Sequence, residues 1–110
     1  MTFQSAAKVA DLSDGEPHAV TVDGTDVVLV RVGADVHCIR DLCSHGQVPL
    51  SEGDVDTDDL TIECYLHGST FDLRSGKPTC LPATEPVPIY PTKVEGETVM
   101  VDLSHQGDNA

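Results

Sequence analysis

The chain has 110 residues, of which 19 are acidic and six are basic, so its formal net charge at pH 7 is −13. This length suits one domain with a modest core and leaves no room for a separate catalytic domain, and the acidic balance excludes nucleic acid as an expected partner. Apolar runs are only strand-length, and Lys8 and Asp11 interrupt the region where a signal peptide needs its apolar segment, so we expect a cytoplasmic protein outside the membrane.

The amino-terminal part of the chain is predicted to form short antiparallel strands. Residues 25–32 are apolar and β-branched, and the preceding Asp23-Gly24 pair is typical of a two-residue hairpin turn. Residues 36–39 continue as a shorter strand, which gives a meander, and residues 3–9 and 18–22 are predicted as flanking strands.

Residues 40–80 are predicted to form a loop-rich subdomain inserted into this β-structure. Glycines punctuate short strands over residues 60–63 and 70–73. Residues 54–60 are expected to form an irregular acidic loop. The acidic run could be a docking patch, but acidic residues are plentiful throughout the chain, which favours a solvated loop. The run consists of Glu52, Asp54, Asp56, Asp58 and Asp59.

The carboxyl-terminal part returns to strands after a stiff segment rich in proline. Five of the seven prolines lie within residues 78–91, where they favour an extended backbone that would shield a nearby site from water. Residues 89–94 and 98–103 flank Glu95-Gly96-Glu97 and predict a second hairpin. No helix longer than a turn or two is predicted. The expected organisation is therefore one all-β domain over residues 1–103 and a disordered tail over residues 104–110.

Two pairs of cysteine and histidine in the loop-rich subdomain carry the strongest chemical signal. Cys43-Ser44-His45 and Cys64-Tyr65-Leu66-His67 each place a thiolate beside an imidazole, and eighteen residues separate the two motifs. Two sulfur and two nitrogen ligands suit a [2Fe–2S] cluster in which thiolates bind one iron and histidines bind the other. A site of this kind transfers electrons and does not catalyse the formation of covalent bonds.

Zinc is an alternative occupant of this ligand set, because tetrahedral sites with two cysteines and two histidines are common. Zinc sites usually pair cysteine with cysteine and histidine with histidine, so the mixed pairs are poor zinc spacing. A third interpretation makes the four residues ordinary core thiols and surface imidazoles. Gly46 and Gly68 argue against it, since each follows a histidine and would let the backbone pass close to an inorganic cluster.

The two motifs resemble the ligand loops of the Rieske iron–sulfur family, which have the same order. The resemblance extends to Gly68-Ser69, Phe71-Asp72 and Ser75-Gly76-Lys77-Pro78, and it covers almost the whole chain. It implies a Rieske fold, with an antiparallel β-sandwich or barrel-like base and a cluster-binding subdomain over residues 40–80. It also implies one cluster, with one iron buried and the other facing solvent. The buried iron would be held by Cys43 and Cys64, and the outer iron by His45 and His67.

Differences from the respiratory members of this family indicate which branch the chain resembles. Val48 and Leu66 occupy the places of two cysteines that form a disulfide in the respiratory members. This implies a soluble ferredoxin of the kind that serves ring-hydroxylating dioxygenases. High-potential relatives have a serine and a tyrosine that donate hydrogen bonds near the cluster; here Ser69 keeps the serine and Phe71 replaces the tyrosine. We therefore expect a reduction potential near the lower end of the family range, roughly −150 mV.

The resemblance implies a monomeric one-electron carrier and not an enzyme. It would accept electrons from a flavin-containing ferredoxin reductase and deliver them to a terminal non-haem iron oxygenase. The net charge of −13 predicts that these partners dock through basic surfaces. Two alternatives stay open: an accessory ferredoxin associated with iron–sulfur cluster assembly, and the small subunit of an assimilatory nitrite reductase.

The other cysteines and histidines are given no part in the site. Cys38 and Cys80 could form a disulfide, but buried free thiols are the expectation because cytosolic thiols are usually reduced. His18, His37 and His105 have no metal-ligand spacing and are expected at the surface or in turns.

Overall fold

The computed structural model describes residues 3–33, 35–42, 48–65, 68–79 and 86–103. Within these ranges all the strands pair in antiparallel sheets, and the helical structure consists of two 3₁₀ turns, Val9–Asp11 and Leu50–Glu52. The predicted all-β class is confirmed, while the predicted tail lies outside the described residues. No helix in these ranges is long and apolar enough to cross a membrane. The strands are β1 (Gln4–Lys8), β2 (Pro17–Val22), β3 (Thr25–Val32), β4 (Asp35–Arg40), β5 (Val55–Asp56), β6 (Thr61–Glu63), β7 (Thr70–Asp72), β8 (Ile89–Tyr90), β9 (Thr92–Glu95) and β10 (Thr98–Val101).

The central sheet has the strand order β2-β3-β4-β8 and begins with the predicted hairpin. Asp23 and Gly24 form the turn between β2 and β3, and their φ angles are +50° and +80°. Val22 and Thr25, on either side of the turn, are the first pair of the two strands. Positive φ at both turn positions matches the right-handed twist of the flanking strands. Strand β4 then pairs with β3, which confirms the predicted meander.

Strand β3 is buried on both faces, which explains why its sequence does not alternate between apolar and polar residues. Val28 and Val30 belong to one core cluster, and Val27 and Leu29 belong to another. Full burial of each such side chain contributes about 1.5–3 kcal/mol. The first cluster includes side chains from the loop-rich subdomain, and the second includes side chains from the outer sheet. Strand β3 therefore packs against the loop-rich subdomain with one face and against the outer sheet with the other.

The outer sheet has the order β1-β10-β9, and it shows where one strand prediction is wrong. The β9–β10 hairpin pairs Glu95 with Thr98, as expected. The single strand predicted over residues 89–94 is instead two strands, because β8 belongs to the central sheet and β9 to the outer one. Pro91 separates them: it has no N–H for a ladder, while its carbonyl accepts a hydrogen bond from the N–H of Asp102 at 3.1 Å.

The subdomain has a sheet of its own, with the order β5-β6-β7. The loop predicted over residues 54–60 is therefore partly wrong, since β5 pairs with β6. The N–H of Glu63 also donates to the carbonyl of Asp54 at 2.7 Å. Gly53 makes this approach possible, because a Cβ at this position would lie 1.6 Å from the carbonyl oxygen of Glu63. Because glycine has no side chain, the two backbone segments can lie in close contact here.

Candidate metal centre

One of the four predicted ligands, Cys64, lies within the described residues. It directly follows β6, its side chain is fully buried, and its thiol is in no disulfide. The side chain belongs to the core cluster that contains Val28 and Val30 of β3. Within the described ranges, no group of three or more His, Cys, Asp or Glu side chains is placed so that it could hold a metal ion. The other ligand predictions, Cys43, His45 and His67, lie outside those ranges, as do Gly46 and Leu66.

The backbone that follows Cys64 returns to it within a few residues. The N–H of Cys64 donates to the carbonyl of Ser69 at 2.6 Å, and the N–H of Gly68 donates to the carbonyl of Cys64 at 2.9 Å. Strands β6 and β7 pair Glu63 with Thr70 at the base of this turn. Gly68 adopts a φ of +74°, which glycine reaches without the steric cost of a Cβ. These contacts fix the position of the Cys64 thiol relative to the sheet.

The segments on either side of the first predicted motif are tied together by a carboxylate. The Asp41 carboxylate accepts hydrogen bonds from the N–H and from the hydroxyl of Ser51, both at 2.7 Å. The N–H of Asp41 donates to the carbonyl of Asp26 in β3 at 3.0 Å. Leu50, next to Ser51, is fully buried in the core cluster that holds Cys64. The flanks of the first motif are therefore anchored to the core that carries the second.

The proline segment is held against the subdomain at both of its described ends. Pro78 forms a bridge with Phe71, and the N–H of Thr79 donates to Thr70 at 2.7 Å. Farther along, the N–H of Val87 donates to the carbonyl of Gly76 at 2.8 Å. A Cβ on Gly76 would lie 2.1 Å from the carbonyl oxygen of Val87, so this contact requires glycine. The residues between these ends, 80–85, lie outside the described ranges.

Two further predicted site residues, Ser69 and Phe71, are fully buried. Phe71 lies on β7 and contributes its ring to the core cluster shared with Cys64. Its side chain has no polar atom, so this position offers no hydrogen-bond donor to a neighbouring sulfur.

Cys38 and Cys64 lie on opposite sides of the central sheet. Cys38, on β4, belongs to the core cluster that faces the outer sheet. Burial raises the pKa of the Cys38 thiol to about 12, so this thiol is protonated at neutral pH. A metal ligand must be a thiolate, and Cys38 is therefore a core residue. The expectation of a buried free thiol is confirmed for Cys38, while Cys80 lies outside the described residues.

Two of the spare histidines lie in strands and not in turns, and their side chains are partly exposed at the surface. His18 and His37 lie within β2 and β4 and are partly buried. Burial lowers the pKa of His37; nearby Asp35 opposes the shift and Arg74 adds to it. Burial raises the pKa of Asp72, but hydrogen bonds from Arg74 outweigh it and leave that pKa below its ordinary value. His105 lies outside the described residues.

An acidic groove of about 560 Å³ runs along the β5-β6-β7 sheet. The Arg74–Asp72 and Lys93–Glu95 ion pairs are the two found in the described residues, and neither includes a carboxylate of the groove. The groove extends to Glu63, the residue before Cys64, and includes Asp54, Asp56 and Asp59 of the acidic run. The groove is lined by Asp54, Val55, Asp56, Thr57, Asp59, Thr61, Glu63, Thr70 and Thr79.

Sequence reasoning missed the bond between Asp41 and Ser51 and the close approach at Gly53. The two bonded side chains are ten residues apart and belong to no motif. Gly53 was visible only as one glycine of a loop-rich region, with no sign of the strand that it would approach.

Comparison with known proteins gives matches over nearly the whole chain. A family model described as Rieske [2Fe-2S] domain matches residues 2–91. The 3-phenylpropionate/cinnamic acid dioxygenase ferredoxin subunits of Shigella boydii serotype 4 (strain Sb227) and Escherichia coli (strain K12) are each 46% identical over 99 residues. Each match covers 89% of this chain and 91% of the relative.

Solved structures show the same similarity. The ferredoxin of carbazole 1,9a-dioxygenase from Nocardioides aromaticivorans IC177 has a TM-score of 0.88 and 40% identity, covering 92% of this chain and 97% of that one. A structure described as a complex of reduced oxygenase and oxidized ferredoxin in carbazole 1,9a-dioxygenase matches with a TM-score of 0.82 and 31% identity, over 90% and 91% of the two chains. The predicted architecture of a β-base with an inserted subdomain is therefore confirmed.

Proposed function

Since the chain belongs to the Rieske [2Fe–2S] domain family, we propose that it is the ferredoxin of a multicomponent oxygenase system. It carries single electrons from a flavin-containing ferredoxin reductase to a terminal non-haem iron oxygenase. The observation that carries this proposal is the 46% identity, over 89% of the chain, to ferredoxin subunits of dioxygenases. The protein is an electron-transfer component and not an enzyme, because substrate oxidation belongs to the oxygenase.

The cluster ligands in this proposal are Cys43, His45, Cys64 and His67. When bound, the [2Fe–2S] cluster supplies one-electron redox chemistry at a potential raised by its two histidines. Cys64 suits the role of a thiolate on the inner iron, because it is fully buried on the side of β3 that faces the subdomain. The backbone hydrogen bonds of Cys64 with Ser69 and with Gly68 hold this ligand in place. The pairing of a cysteine with a histidine in each motif fits this cluster better than it fits zinc, whose sites usually pair cysteine with cysteine and histidine with histidine.

The surroundings of Cys64 favour a low reduction potential. Hydrogen bonds to cluster sulfurs stabilise the reduced, more negative state and raise the potential. Phe71 is buried in the core cluster with Cys64 and has no donor. We place the potential near the lower end of the family range, which suits a carrier fed by a reduced flavin.

The charge distribution supports protein partners with basic surfaces. The net charge of −13 attracts such a surface from a distance, and the acidic groove, which reaches Glu63 next to Cys64 in the chain, presents four carboxylates to it. We propose that the protein works as a monomer, since electron carriers must exchange partners quickly. The free thiol of Cys38 suits the reducing conditions of the cytoplasm.

Reconstitution with partners tests this function. Purified holoprotein is mixed with a flavin-containing ferredoxin reductase and reduced nicotinamide cofactor, and the bleaching of the cluster absorbance is followed before and after a terminal oxygenase is added. We expect rapid bleaching, reoxidation on addition of oxygenase, and rates that fall as salt screens the charges. A protein that neither partner reduces or oxidises would contradict the proposal, and rates that ignore ionic strength would contradict electrostatic docking.

A further inference from the structure

One aromatic side chain stands in solvent beside the predicted metal centre. Tyr65 directly follows Cys64, and 53% of its surface is exposed. Among the described residues, Val94 is the other exposed large hydrophobic residue, at 46%. The other described aromatic residues are covered: Phe71 is fully buried, Tyr90 is nearly so, and the Phe3 ring lies 4.5 Å from the Lys93 ammonium. In a chain with four aromatic residues, the exposure of this one leaves apolar area available for a partner.

The backbone of the turn imposes the outward position of Tyr65. Cys64 is fixed by its hydrogen bonds to Ser69 and Gly68, and its side chain fills the core. The next side chain therefore points away from that core. Because the backbone of Cys64 is held by these hydrogen bonds and by the β6–β7 pairing, docking on Tyr65 orders little additional backbone before it. A ring presented on a fixed turn loses little conformational freedom when it is covered, which favours binding.

The surroundings of Tyr65 indicate the chemistry of the partner. Glu63, two residues before it, lines the acidic groove together with Asp54, Asp56 and Asp59. Among the described residues that line this groove, none is basic. A surface that covers Tyr65 would therefore meet an aromatic ring at its centre and carboxylates on one side. The complementary surface is an apolar pocket with Lys or Arg at its rim, and tyrosine in such a pocket is a frequent hot spot of protein interfaces.

We propose that Tyr65 is the docking anchor for the terminal oxygenase and inserts into an apolar pocket of a basic surface. This inference rests on the proposed function and assigns to Tyr65 a role in partner binding, separate from the cluster ligands on either side of it. A single anchor with an acidic rim gives a small interface, of the size found in weak electron-transfer encounters. Such an interface allows the carrier to release the oxygenase after each electron.

The test uses holoprotein reduced with dithionite, so that no reductase takes part. The reduced protein is mixed in a stopped-flow instrument with the oxidised oxygenase of the 3-phenylpropionate/cinnamic acid system of Escherichia coli (strain K12), whose ferredoxin subunit is 46% identical to this chain. The variants are Tyr65→Ala, Tyr65→Phe and, as the matched control at the other exposed apolar residue, Val94→Ala. The reduction potential and visible spectrum of each variant are measured first.

We expect Tyr65→Ala to raise the protein concentration for half-maximal transfer about tenfold, the effect of losing one anchor. Tyr65→Phe keeps the ring and should stay within about twofold of the wild type, as should Val94→Ala, and all potentials should be unchanged. Equal half-maximal concentrations for Tyr65→Ala and the wild type would overturn the inference. If the wild type itself transfers no electron to the oxygenase, the proposed function fails and not the anchor alone.

Discussion

The bond between Asp41 and Ser51 allows a graded test of how the first ligand motif is held. Asp41→Ala removes a carboxylate that accepts two part-buried hydrogen bonds at 2.7 Å. Hydrogen bonds to a charged group contribute about 1.5–3 kcal/mol each, but water can reach part of this site, so we expect a total loss of about 2.5 kcal/mol. For a chain of 110 residues this lowers Tm by about 10 °C.

Two companion variants identify the cause of this loss. Asn at position 41 can still accept from the Ser51 N–H and can donate to its hydroxyl, so Asp41→Asn should lose about 1 kcal/mol or less. Ser51→Ala removes one of the two bonds and should lie in between. The assay is thermal unfolding of the holoprotein by circular dichroism, with cluster absorbance followed in parallel, since loss of ligand geometry releases the metal. If Asp41→Asn were as unstable as Asp41→Ala, or if all three variants matched the wild type, the hydrogen bonds between Asp41 and Ser51 would not be what stabilises this part of the fold.

Three further predictions concern the potential, the backbone and pH. Phe71→Tyr should raise the reduction potential by on the order of 60 mV, if a hydrogen bond from its hydroxyl stabilises the reduced state by about 1.4 kcal/mol more than the oxidised state. Ser69→Ala should lower the potential. Voltammetry that shows no shift in either variant would contradict both predictions. Gly53→Ala should lower the free energy of unfolding, measured with denaturant, by at least about 2–3 kcal/mol, because its Cβ would lie 1.6 Å from the carbonyl oxygen of Glu63. The control is Gly96→Ala, whose Cβ meets no atom within 4 Å. Since Gly96 has a φ of +62°, this variant should lose about 1 kcal/mol. Burial holds the pKa of His37 below its ordinary value of 6.5, so below pH 6.5 the unfolded chain binds more protons than the folded chain. The stability present above pH 6.5 is therefore lost as pH falls from 6.5 through the lower pKa of the folded state. His37→Gln should flatten this part of the curve of unfolding free energy against pH, and an unchanged curve would contradict the prediction.

The sequence predicted the strands well where local patterns specify them. The Asp23-Gly24 turn and the apolar run that follows gave the central hairpin, because positive φ and β-branching act over a few residues. The same local view missed the change of sheet at Pro91 and the short strand Val55–Asp56. Both depend on which distant segment lies alongside, and neither the partner nor its distance is visible in a short window of sequence.

The candidate site was predicted from its motifs, and its supports were not. The spacing of Cys64 from His67 predicts it as a ligand, and the structure shows that its side chain is buried in the core. Spacing did not reveal that Asp41 ties two segments together, nor that the exposed ring of Tyr65 and the acidic groove lie beside the same turn. Such features arise from packing between parts of the chain that carry no shared pattern.

Pulsed electron paramagnetic resonance of the reduced holoprotein tests the ligand assignment most directly. Protein labelled with ¹⁵N-histidine should show a paramagnetic [2Fe–2S] signal, with a mean g value below that of all-cysteine clusters and couplings to two histidine nitrogens. His45→Cys or His67→Cys should each remove one of these couplings, whereas His37→Gln should leave both. A silent, colourless protein with one zinc per chain, or a cluster signal with no histidine coupling, would contradict the assignment of Cys43, His45, Cys64 and His67.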